Sequence, residues 1–247
     1  MNKRQRKIID TLSSSEKTNV KDLADRFAVS AVTIRQDLNY LEEEGFLKRV
    51  HGGAILQNAD DISKRLVMNY EKKLAIARKA ATLVREEETI LIESGSTNAI
   101  LVKELETRAR VNIVTTNVFI ARELKKNDHA NIILLGGSYQ HESESLVGRL
   151  TRLCLENVNF SKAFIGVDGY TSDTGFTSTD MMRAEISSLI VKRSPEVFVL
   201  TDSSKFGRVQ LARLFYPEEI TCLITDSGIP DRDKADLEQR GVHIYIV

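Results

Sequence analysis

The sequence of 247 residues predicts an α/β protein that begins with a separate, mainly helical unit. Two patterns predict this division. Up to residue 56, apolar residues recur at helical spacing and are followed by two short alternating runs. From Thr89 onward, seven apolar runs rich in Val, Ile and Leu are separated by amphipathic helical stretches. Such alternation is typical of a mostly parallel sheet covered on both faces.

The third helix expected in the N-terminal unit is amphipathic. Ser30 can cap its start, because a serine hydroxyl accepts a backbone hydrogen bond from the first helical turn. Ile34, Leu38 and Leu41 follow i, i+4, i+7 spacing, which points these side chains inward. The groups left on the outer face are Val32, Gln36, Asn39 and Tyr40, with Thr33 and Arg35 on its flanks.

A hairpin follows this helix, with two alternating runs on either side of a His-Gly-Gly turn. Helices joined by a tight turn and followed by such a hairpin are typical of a winged helix-turn-helix, whose exposed helix enters the major groove of DNA. Arg49, His51 and Gly52 of the wing are then expected near phosphate or the minor groove. The alternative is a three-helix module that binds protein and whose polar residues are simply solvated.

Composition limits the other classes of function. Lys and Arg number 35 and so do Asp and Glu, so any contact with nucleic acid must come from a local patch. N-terminal cations that could meet phosphate are Lys3, Arg4, Arg6 and Lys7. Cys154 and Cys222 lack CxxC or Cys/His spacing, which favours reduced thiols and indicates no metal site. No run approaches the roughly 20 apolar residues of a membrane-spanning helix, so we expect a cytoplasmic protein without membrane contact.

A loop rich in Ser and Thr follows the first apolar run of the second part. It consists of Glu93, Ser94, Gly95, Ser96, Thr97 and Asn98 and precedes a helix over residues 99–105. Free backbone N–H groups and the positive end of the helix dipole make such a helix start an anion site, and Gly95 lets the backbone approach the anion. A plain helix cap is the alternative interpretation.

Similar loops recur after the neighbouring apolar runs, at the edge where open α/β sheets place their ligands. Together they supply hydroxyls, amides, two carboxylates and an ammonium, which suit a small polyhydroxylated anion. The candidate residues in these loops are Thr116, Asn117, Gly137, Asp168, Gly169, Asp202 and Lys205. Glu185, on a later helix, could also face this pocket. No cofactor is expected.

Several of these motifs resemble a known family. Residues 32–38 and 49–54 resemble the N-terminal module of the DeoR family of bacterial transcriptional regulators, and residues 95–97 and 202–207 resemble its effector domain. The resemblance implies an effector domain similar in fold to ribose-5-phosphate isomerase and coenzyme A transferases. It also implies a sequence-specific repressor of carbohydrate metabolism genes, whose partners are double-stranded operator DNA and a phosphorylated sugar.

This chain departs from the family pattern at two positions. Gln36 stands where the family usually has a second Arg or Lys, which indicates an altered operator preference. Glu93 replaces the usual Asp before the phosphate loop, and its longer side chain could change the preferred ligand or its hydroxyl contacts.

The complete interpretation is an α/β protein with an N-terminal all-α, winged-helix domain. We expect a DNA-binding domain over residues 1–56, a linker over 57–69 without a sustained pattern, and a sugar-phosphate-sensing domain over 70–247. One recognition helix buries too little surface for tight specificity, so a homodimer or higher homo-oligomer is expected.

The alternative function is a sugar-phosphate isomerase or transferase with an accessory DNA-binding domain. The family of isomerases uses a carboxylate cluster, typically Asp-Gly-Ala-Asp-Glu, for acid and base catalysis. Residues 168–172 read Asp-Gly-Tyr-Thr-Ser, so a single carboxylate remains in the corresponding run. Binding without turnover is therefore the prediction.

Overall fold

The structure, a computed structural model, describes residues 1–13, 18–56, 60–106, 110–124 and 130–247. They form two compact units, Met1–Tyr70 and Glu71–Val247. The elements of the first unit are, in chain order, α1 (Lys3–Ser13), β1 (Thr18–Asn19), α2 (Val20–Phe27), α3 (Ala31–Glu43), β2 (Leu47–Val50), β3 (Gly53–Leu56) and α4 (Ile62–Val67).

Helices α1, α2 and α3 pack around one apolar core. Helix α3 contributes Ile34, Leu38 and Leu41, which are fully buried, as their helical spacing predicts. The core also contains Ile8, Ile9, Leu12, Leu23, Leu47, Ala54 and Met68. Burial of this stripe leaves the opposite side of α3 free to meet a partner.

The turn between α2 and α3 is defined by its backbone and by a cap. Ala28 adopts the left-handed conformation, with φ of 51°, and its N–H bonds back into α2. The Ser30 hydroxyl accepts a hydrogen bond from the backbone N of Thr33 at 3.1 Å. The prediction that Ser30 caps the third helix is therefore confirmed.

The wing is a sheet of three strands in the order β1-β3-β2. The hairpin of β2 and β3 is the predicted one, with Arg49 opposite Ala54. Strand β1 was not anticipated, because two residues are too few to show alternation. It pairs with β3, and a Cβ at Gly53 would lie only 2.2 Å from the carbonyl oxygen of Thr18. Glycine is therefore required where β1 pairs with β3.

The linker prediction needs a correction. Residues 57–59 lie outside the described residues, but Ile62–Val67 forms helix α4. Asp61 caps this helix by accepting a hydrogen bond from the backbone N of Ser63 at 2.9 Å, and Ile62 is buried. A helix of six residues is too short for its apolar spacing to be recognised in the sequence.

The second unit contains α5 (Tyr70–Ala81), β4 (Thr89–Ile92), α6 (Ser96–Leu105), β5 (Val111–Thr115), α7 (Val118–Glu123), β6 (Ala130–Leu134), β7 (Ser138–Gln140), β8 (Ser145–Val147), α8 (Arg149–Glu156), β9 (Lys162–Ile165), β10 (Gly169–Thr171), β11 (Gly175–Ser178), α9 (Met181–Arg193), β12 (Glu196–Leu200), β13 (Ala212–Phe215), β14 (Cys222–Thr225), α10 (Asp231–Gln239) and β15 (His243–Ile246). Helix α5 begins at Tyr70, the last residue of the first unit.

Seven of these strands form one parallel sheet in the order β15-β14-β12-β9-β4-β5-β6. The seven predicted apolar runs are the seven strands, so the α/β fold class is confirmed. The chain moves from β4 to β5 and β6 on one side and later fills the other side from β9. The point between β4 and β9 is thus a topological switch point, where ligands of open α/β sheets bind beyond the carboxyl ends of the strands.

Two small antiparallel sheets accompany the main sheet and were missed from the sequence. One is the hairpin of β7 and β8, and the other has the order β10-β11-β13. Their strands are three or four residues long and carry polar residues, so they lack the continuous apolar runs of the main sheet. None of the helices in the described ranges has the length and apolar character needed to cross a membrane.

Candidate functional site

The outer face of α3 is exposed, as its spacing predicts. Val32 is 60% exposed, and Arg35, Gln36 and Asn39 are also exposed. Thr33 is half-buried, and its hydroxyl lies 2.9 Å from the hydroxyl of Ser30. A helix whose inner stripe is buried and whose outer face carries an amide pair can present hydrogen-bonding groups to base edges.

The wing is connected to this face through Arg49. Its NH1 donates to Asn39 Oδ1 at 2.6 Å, and its backbone N donates to Glu42 Oε1 at 2.7 Å. From the sequence, Arg49 was expected near phosphate or the minor groove, and Glu42 was expected at a solvated end of the helix. His51 and Gly52 are exposed at the turn of the wing.

One of the N-terminal cations is not available to phosphate as expected. Arg4 forms an ion pair with Asp37, a buried residue of α3, which also accepts a hydrogen bond from Gln5 Nε2 at 3.1 Å. Arg4 is therefore engaged by Asp37, because burial of a carboxylate requires a partner cation. Its role is to tie α1 to α3.

In the second unit, the Ser- and Thr-rich loop lies between β4 and α6 at the switch point. Helix α6 begins at Ser96, three residues earlier than expected, and Gly95 at its N-cap position provides no side-chain cap. Asn98 is 0% exposed, and its Nδ2 donates to the carbonyl oxygens of Glu93 and Phe164 at 2.8 and 3.1 Å. Among the described residues, its Oδ1 has no hydrogen-bond partner although it is buried.

Glu93 is buried beneath this loop. Its Oε1 accepts from Ser187 Oγ at 2.8 Å, and its Oε2 accepts from the backbone N of Gly166 at 3.4 Å. Burial raises the pKa of the Glu93 carboxyl to about 7, although the Ser187 bond and the charge of Arg183 act in the opposite direction. The carboxyl is therefore close to half-protonated near neutral pH.

Hydrogen bonds join the loop after β4 to the loop after β5. Ser94 Oγ accepts from Asn117 Nδ2 at 3.2 Å and from Ser145 Oγ at 2.8 Å. Asn117 Nδ2 also donates to the carbonyl oxygen of Ser143 at 2.8 Å, and Asn117 is fully buried. Sequence reasoning missed Ser143 and Ser145, because they lie on a hairpin that does not belong to the main sheet.

Asp168 follows β9 and accepts hydrogen bonds from the last residue of β11 and from the residue after it. Its Oδ2 accepts from Ser178 Oγ at 3.2 Å and from the backbone N of Thr179 at 3.3 Å. The hydroxyl of Thr179 accepts in turn from Arg183 NH2 at 3.0 Å. Gly169 begins β10, opposite Thr177. Asp168, Glu93 and the buried Arg183 thus belong to one polar cluster.

Helix α9 contributes Arg183 and Ser187 to this cluster, and Glu185 does not join it. Arg183 and Ser187 are four positions apart and are both buried, so they share one face of the helix. The side chain of Glu185 is 66% exposed and lies 4.0 Å from Arg152 NH1. The expectation that Glu185 faces the pocket is wrong. Glu185 lies two positions from both Arg183 and Ser187, and a residue at that spacing lies on the opposite face of a helix.

Asp202 and Lys205 lie at the carboxyl end of β12. Burial disfavours the charged form of Asp202, but Lys73, Lys205 and hydrogen bonds from Ser204 together lower the pKa of this carboxyl. The backbone N of Ser204 donates to Asp202 Oδ1 at 3.0 Å. An acidic group that remains ionised beside two lysines makes this part of the site mixed in charge.

A second cluster adjoins it and was not predicted from the sequence. Ser203 donates to Asp226 from both its backbone N, at 2.6 Å, and its hydroxyl, at 2.8 Å. Lys72 Nζ lies 2.8 Å from Asp226 Oδ2 and 2.8 Å from Ser203 Oγ. The first turn of α5 is thus attached to the loop after β12. Sequence reasoning missed it because Lys72 is 131 residues from Ser203.

The remaining candidates are closely packed or buried residues of the same loops. A Cβ at Gly137 would lie 2.0 Å from Thr151 Oγ1, so glycine is required there for close packing. Thr116 is buried and its carbonyl oxygen accepts from the backbone N of Leu146 at 2.7 Å. Ser96 and Thr97, in the first turn of α6, are also buried.

Within the described ranges, no three His, Cys, Asp or Glu side chains come together as metal ligands.

Two family models match the chain, one in each unit. A DeoR-like helix-turn-helix domain matches residues 4–59, and the DeoR C terminal sensor domain matches residues 68–227. The chain belongs to the DeoR family. DeoR proteins are transcriptional regulators, so the chain is a DNA-binding regulator and the resemblance of its motifs is confirmed.

Relatives of this DeoR-family chain are named as regulators rather than enzymes. It is 37% identical to the HTH-type transcriptional regulator GolR of Listeria innocua, over 92% of this chain and 91% of the relative. It is 30% identical to the lactose phosphotransferase system repressor of Lactococcus lactis, over 97% of both chains. Ribose 5-phosphate isomerase A of Methanocaldococcus jannaschii is a structural neighbour, with a TM-score of 0.43 and 20% identity over 56% of this chain and 55% of that chain.

Proposed function

We propose that this regulator represses carbohydrate metabolism genes in the cytoplasm and that a phosphorylated sugar, bound in the second unit, modulates its hold on operator DNA. The observation that carries the proposal is the start of α6 at the switch point of the sheet. There, Gly95 leaves the first N–H groups without a side-chain cap, and the buried Asn98 Oδ1 has no partner among the described residues. The name of the lactose phosphotransferase system repressor supports repression of carbohydrate genes.

The chemistry of the surrounding residues fits a sugar phosphate. Backbone N–H groups at the start of a helix bind phosphate oxygens, and the dipole of α6 favours a negative charge there. Ser94 and Asp168 provide hydroxyl and carboxylate groups for sugar hydroxyls. The buried Asn117 supports this site by donating to Ser94 Oγ. Lys205 adds a positive charge, which attracts the negatively charged phosphate.

The proposed DNA contacts come from the outer face of α3 and the wing. Val32, Thr33, Gln36 and Asn39 are assigned to base edges, because they are non-buried groups on one side of a capped helix. Ser30, Arg35, Arg49, His51 and Gly52 are assigned to the surrounding backbone or to support of the base-reading face.

Regulation follows from linkage between the two sites. A ligand that binds the DNA-competent and DNA-incompetent arrangements with different affinities shifts the population toward the one it prefers. The assembly is proposed to be at least a homodimer, because operator half-sites require two recognition helices. Leu150 and Leu153 support this proposal, since they are 63% and 44% exposed and lie three residues apart on α8.

A thermal-shift screen of the full chain against pentose and hexose phosphates tests the ligand class. A ligand that binds only the native state raises the melting temperature, with a stabilisation of about 2.7 kcal/mol at a concentration 100 times its dissociation constant. Lys205→Met should abolish the shift caused by the best ligand. Lys192→Met, which removes an exposed cation at the end of α9, should leave it unchanged.

The unphosphorylated forms of the same sugars provide the chemical control. They should give no shift, because they lack the anion for which the start of α6 is suited. Equal shifts from phosphorylated and unphosphorylated sugars, or an unchanged shift in Lys205→Met, would contradict the proposed site.

A further inference from the structure

Arg49 lies on the wing, but its side chain packs against the recognition helix. Its guanidinium donates to Asn39 Oδ1 at 2.6 Å, and its backbone N donates to Glu42 Oε1 at 2.7 Å. Asn39 and Glu42 are three residues apart on α3, so they lie next to each other on one side of the helix. Arg49 is therefore attached to α3 at two points one turn apart.

Arg49 is half-buried in this inward position. The two hydrogen bonds to α3 therefore hold a residue that is partly removed from solvent. The neighbouring Lys48 is exposed, so it is the wing cation that is free to approach the DNA backbone.

We propose that Arg49 is a positioning residue for base reading and that it orients the carboxamide of Asn39. The proposal rests on the role of the outer face of α3 in the proposed function. A hydrogen bond from a guanidinium to an amide oxygen is charge-assisted and therefore strong. It removes the freedom of the carboxamide to exchange its oxygen and nitrogen ends, and thereby selects which end faces a base.

The orientation has a consequence for sequence preference. With one lone pair of Oδ1 engaged by Arg49, the second lone pair of Oδ1 and the two N–H groups of Asn39 Nδ2 are left for a base. An asparagine that pairs with adenine in the major groove uses its oxygen and its nitrogen together. The orientation held by Arg49 leaves both groups available, so adenine is the base expected opposite Asn39.

The experiment begins with the full chain and a randomised double-stranded DNA library. Repeated selection gives the preferred duplex, and dissociation constants are then measured for that duplex, for its single base-pair variants and for random duplex. The proteins compared are wild type, Asn39→Ala, Arg49→Lys and Lys48→Met. Thermal melting of each variant checks that it is folded.

Asn39→Ala identifies the base pair that Asn39 reads, because discrimination there should fall by roughly 5- to 100-fold. Arg49→Lys keeps the charge but loses the planar guanidinium, so it should lose discrimination at the same base pair. Its affinity for random duplex should stay within about twofold of wild type, because the charge available to phosphate is retained. The combined variant of both residues should lose no more discrimination there than Asn39→Ala alone.

Lys48→Met is the matched control. It removes a neighbouring wing cation and should weaken binding to all duplexes by a similar factor, with discrimination unchanged. If Arg49→Lys keeps the discrimination of wild type, or weakens binding to all duplexes equally, the positioning role is refuted. A G·C pair as the preferred base pair at the position identified by Asn39→Ala would refute the adenine assignment.

A second variant keeps the proposal testable if Arg49→Lys melts early. Asn39→Asp retains an oxygen acceptor for Arg49 but lacks the N–H group that donates to adenine N7, so it should lose the preference for adenine. Unchanged preference in Asn39→Asp would overturn the proposal. Absence of any sequence preference in wild type would instead contradict the proposed base-reading role of α3.

Discussion

At the scale of single residues, burial decides the chemistry of Glu93. The sequence indicates a carboxylate before a phosphate loop, whereas the structure places the carboxyl under the loop, with hydrogen bonds from Ser187 and Gly166. Desolvation is the largest cause of its raised pKa of about 7. The replacement of the usual Asp by Glu is accommodated here through contacts with α9 that no local pattern contains.

The raised pKa of Glu93 predicts a pH-dependent stability. The unfolded carboxyl ionises near pH 4.5, whereas the folded one stays protonated up to about pH 7. Its contribution is therefore fully present below pH 4.5 and is lost as the pH rises through 7. Glu93→Gln lacks this titration, so its free energy of unfolding relative to wild type should increase between pH 5 and pH 8, by at most about 3 kcal/mol.

Urea unfolding of the full chain at these two pH values measures the difference. Glu185→Gln, on the exposed face of α9, is the control and should show no such change. If the difference between Glu93→Gln and wild type is the same at both pH values, then Glu93 is ionised in the native protein throughout the range.

At the scale of elements, the wing depends on a contact between strands that are distant in the chain. Strand β1 supplies two residues to the sheet and passes so close to Gly53 that a side chain has no room there. The neighbouring Gly52 has open space around it and is constrained only by its positive φ of 74°. Two adjacent glycines are thus required for different physical reasons.

Alanine substitutions separate these two reasons. Gly53→Ala brings Cβ to 2.2 Å from the Thr18 carbonyl oxygen, so β1 must move away from β3. We expect a loss in free energy of unfolding of about 3 kcal/mol, at the upper end for overpacked sites. Gly52→Ala only places an alanine in the left-handed backbone conformation, which should lower the free energy of unfolding by about 1 kcal/mol.

Urea unfolding of the full chain, monitored by amide exchange at residues of β3, measures both effects. Equal losses in the two variants would show that the contact between β1 and β3 is not closely packed in solution.

At the scale of the whole molecule, helix α5 connects the two units along the chain. Its first residue, Tyr70, ends the first unit, and its second turn belongs to the second. Lys72 attaches this helix to Ser203 and Asp226, beside the proposed ligand groups Asp202 and Lys205. A ligand that displaces the loop after β12 would therefore act on the helix that continues from the DNA-binding unit.

Lys72→Met tests this route between the sites. The variant should retain the thermal shift with the best sugar phosphate, because Lys72 is not among the proposed ligand contacts. The ratio of operator dissociation constants with and without ligand, typically about 5–150 for coupled sites, should fall to within about twofold of one. Both quantities are measured on the full chain.

Arg78→Met is the control on the same helix, because it breaks the pair of Arg78 with Glu104 of α6 without touching the loop after β12. Its operator response should match wild type. An unaltered response in Lys72→Met would exclude this contact as the connection between ligand and DNA.

Local patterns were sufficient for much of the fold. The spacing of Ile34, Leu38 and Leu41 predicted the buried face of α3, and the apolar runs predicted all seven parallel strands. These features are visible in sequence because a helix and a buried strand impose their own period on neighbouring residues. The short elements α4 and β1 were missed, because they contain too few residues for a period.

The amino-acid sequence by itself determined the fold class, the exposed face of the recognition helix and the loops that gather at the carboxyl edge of the sheet. Tertiary structure alone decided that Arg49 holds Asn39, that Arg4 pairs with Asp37, and that Glu185 points away. The physical reason is that periodicity specifies which face of an element is buried, whereas a hydrogen bond or an ion pair depends on which elements the fold brings together.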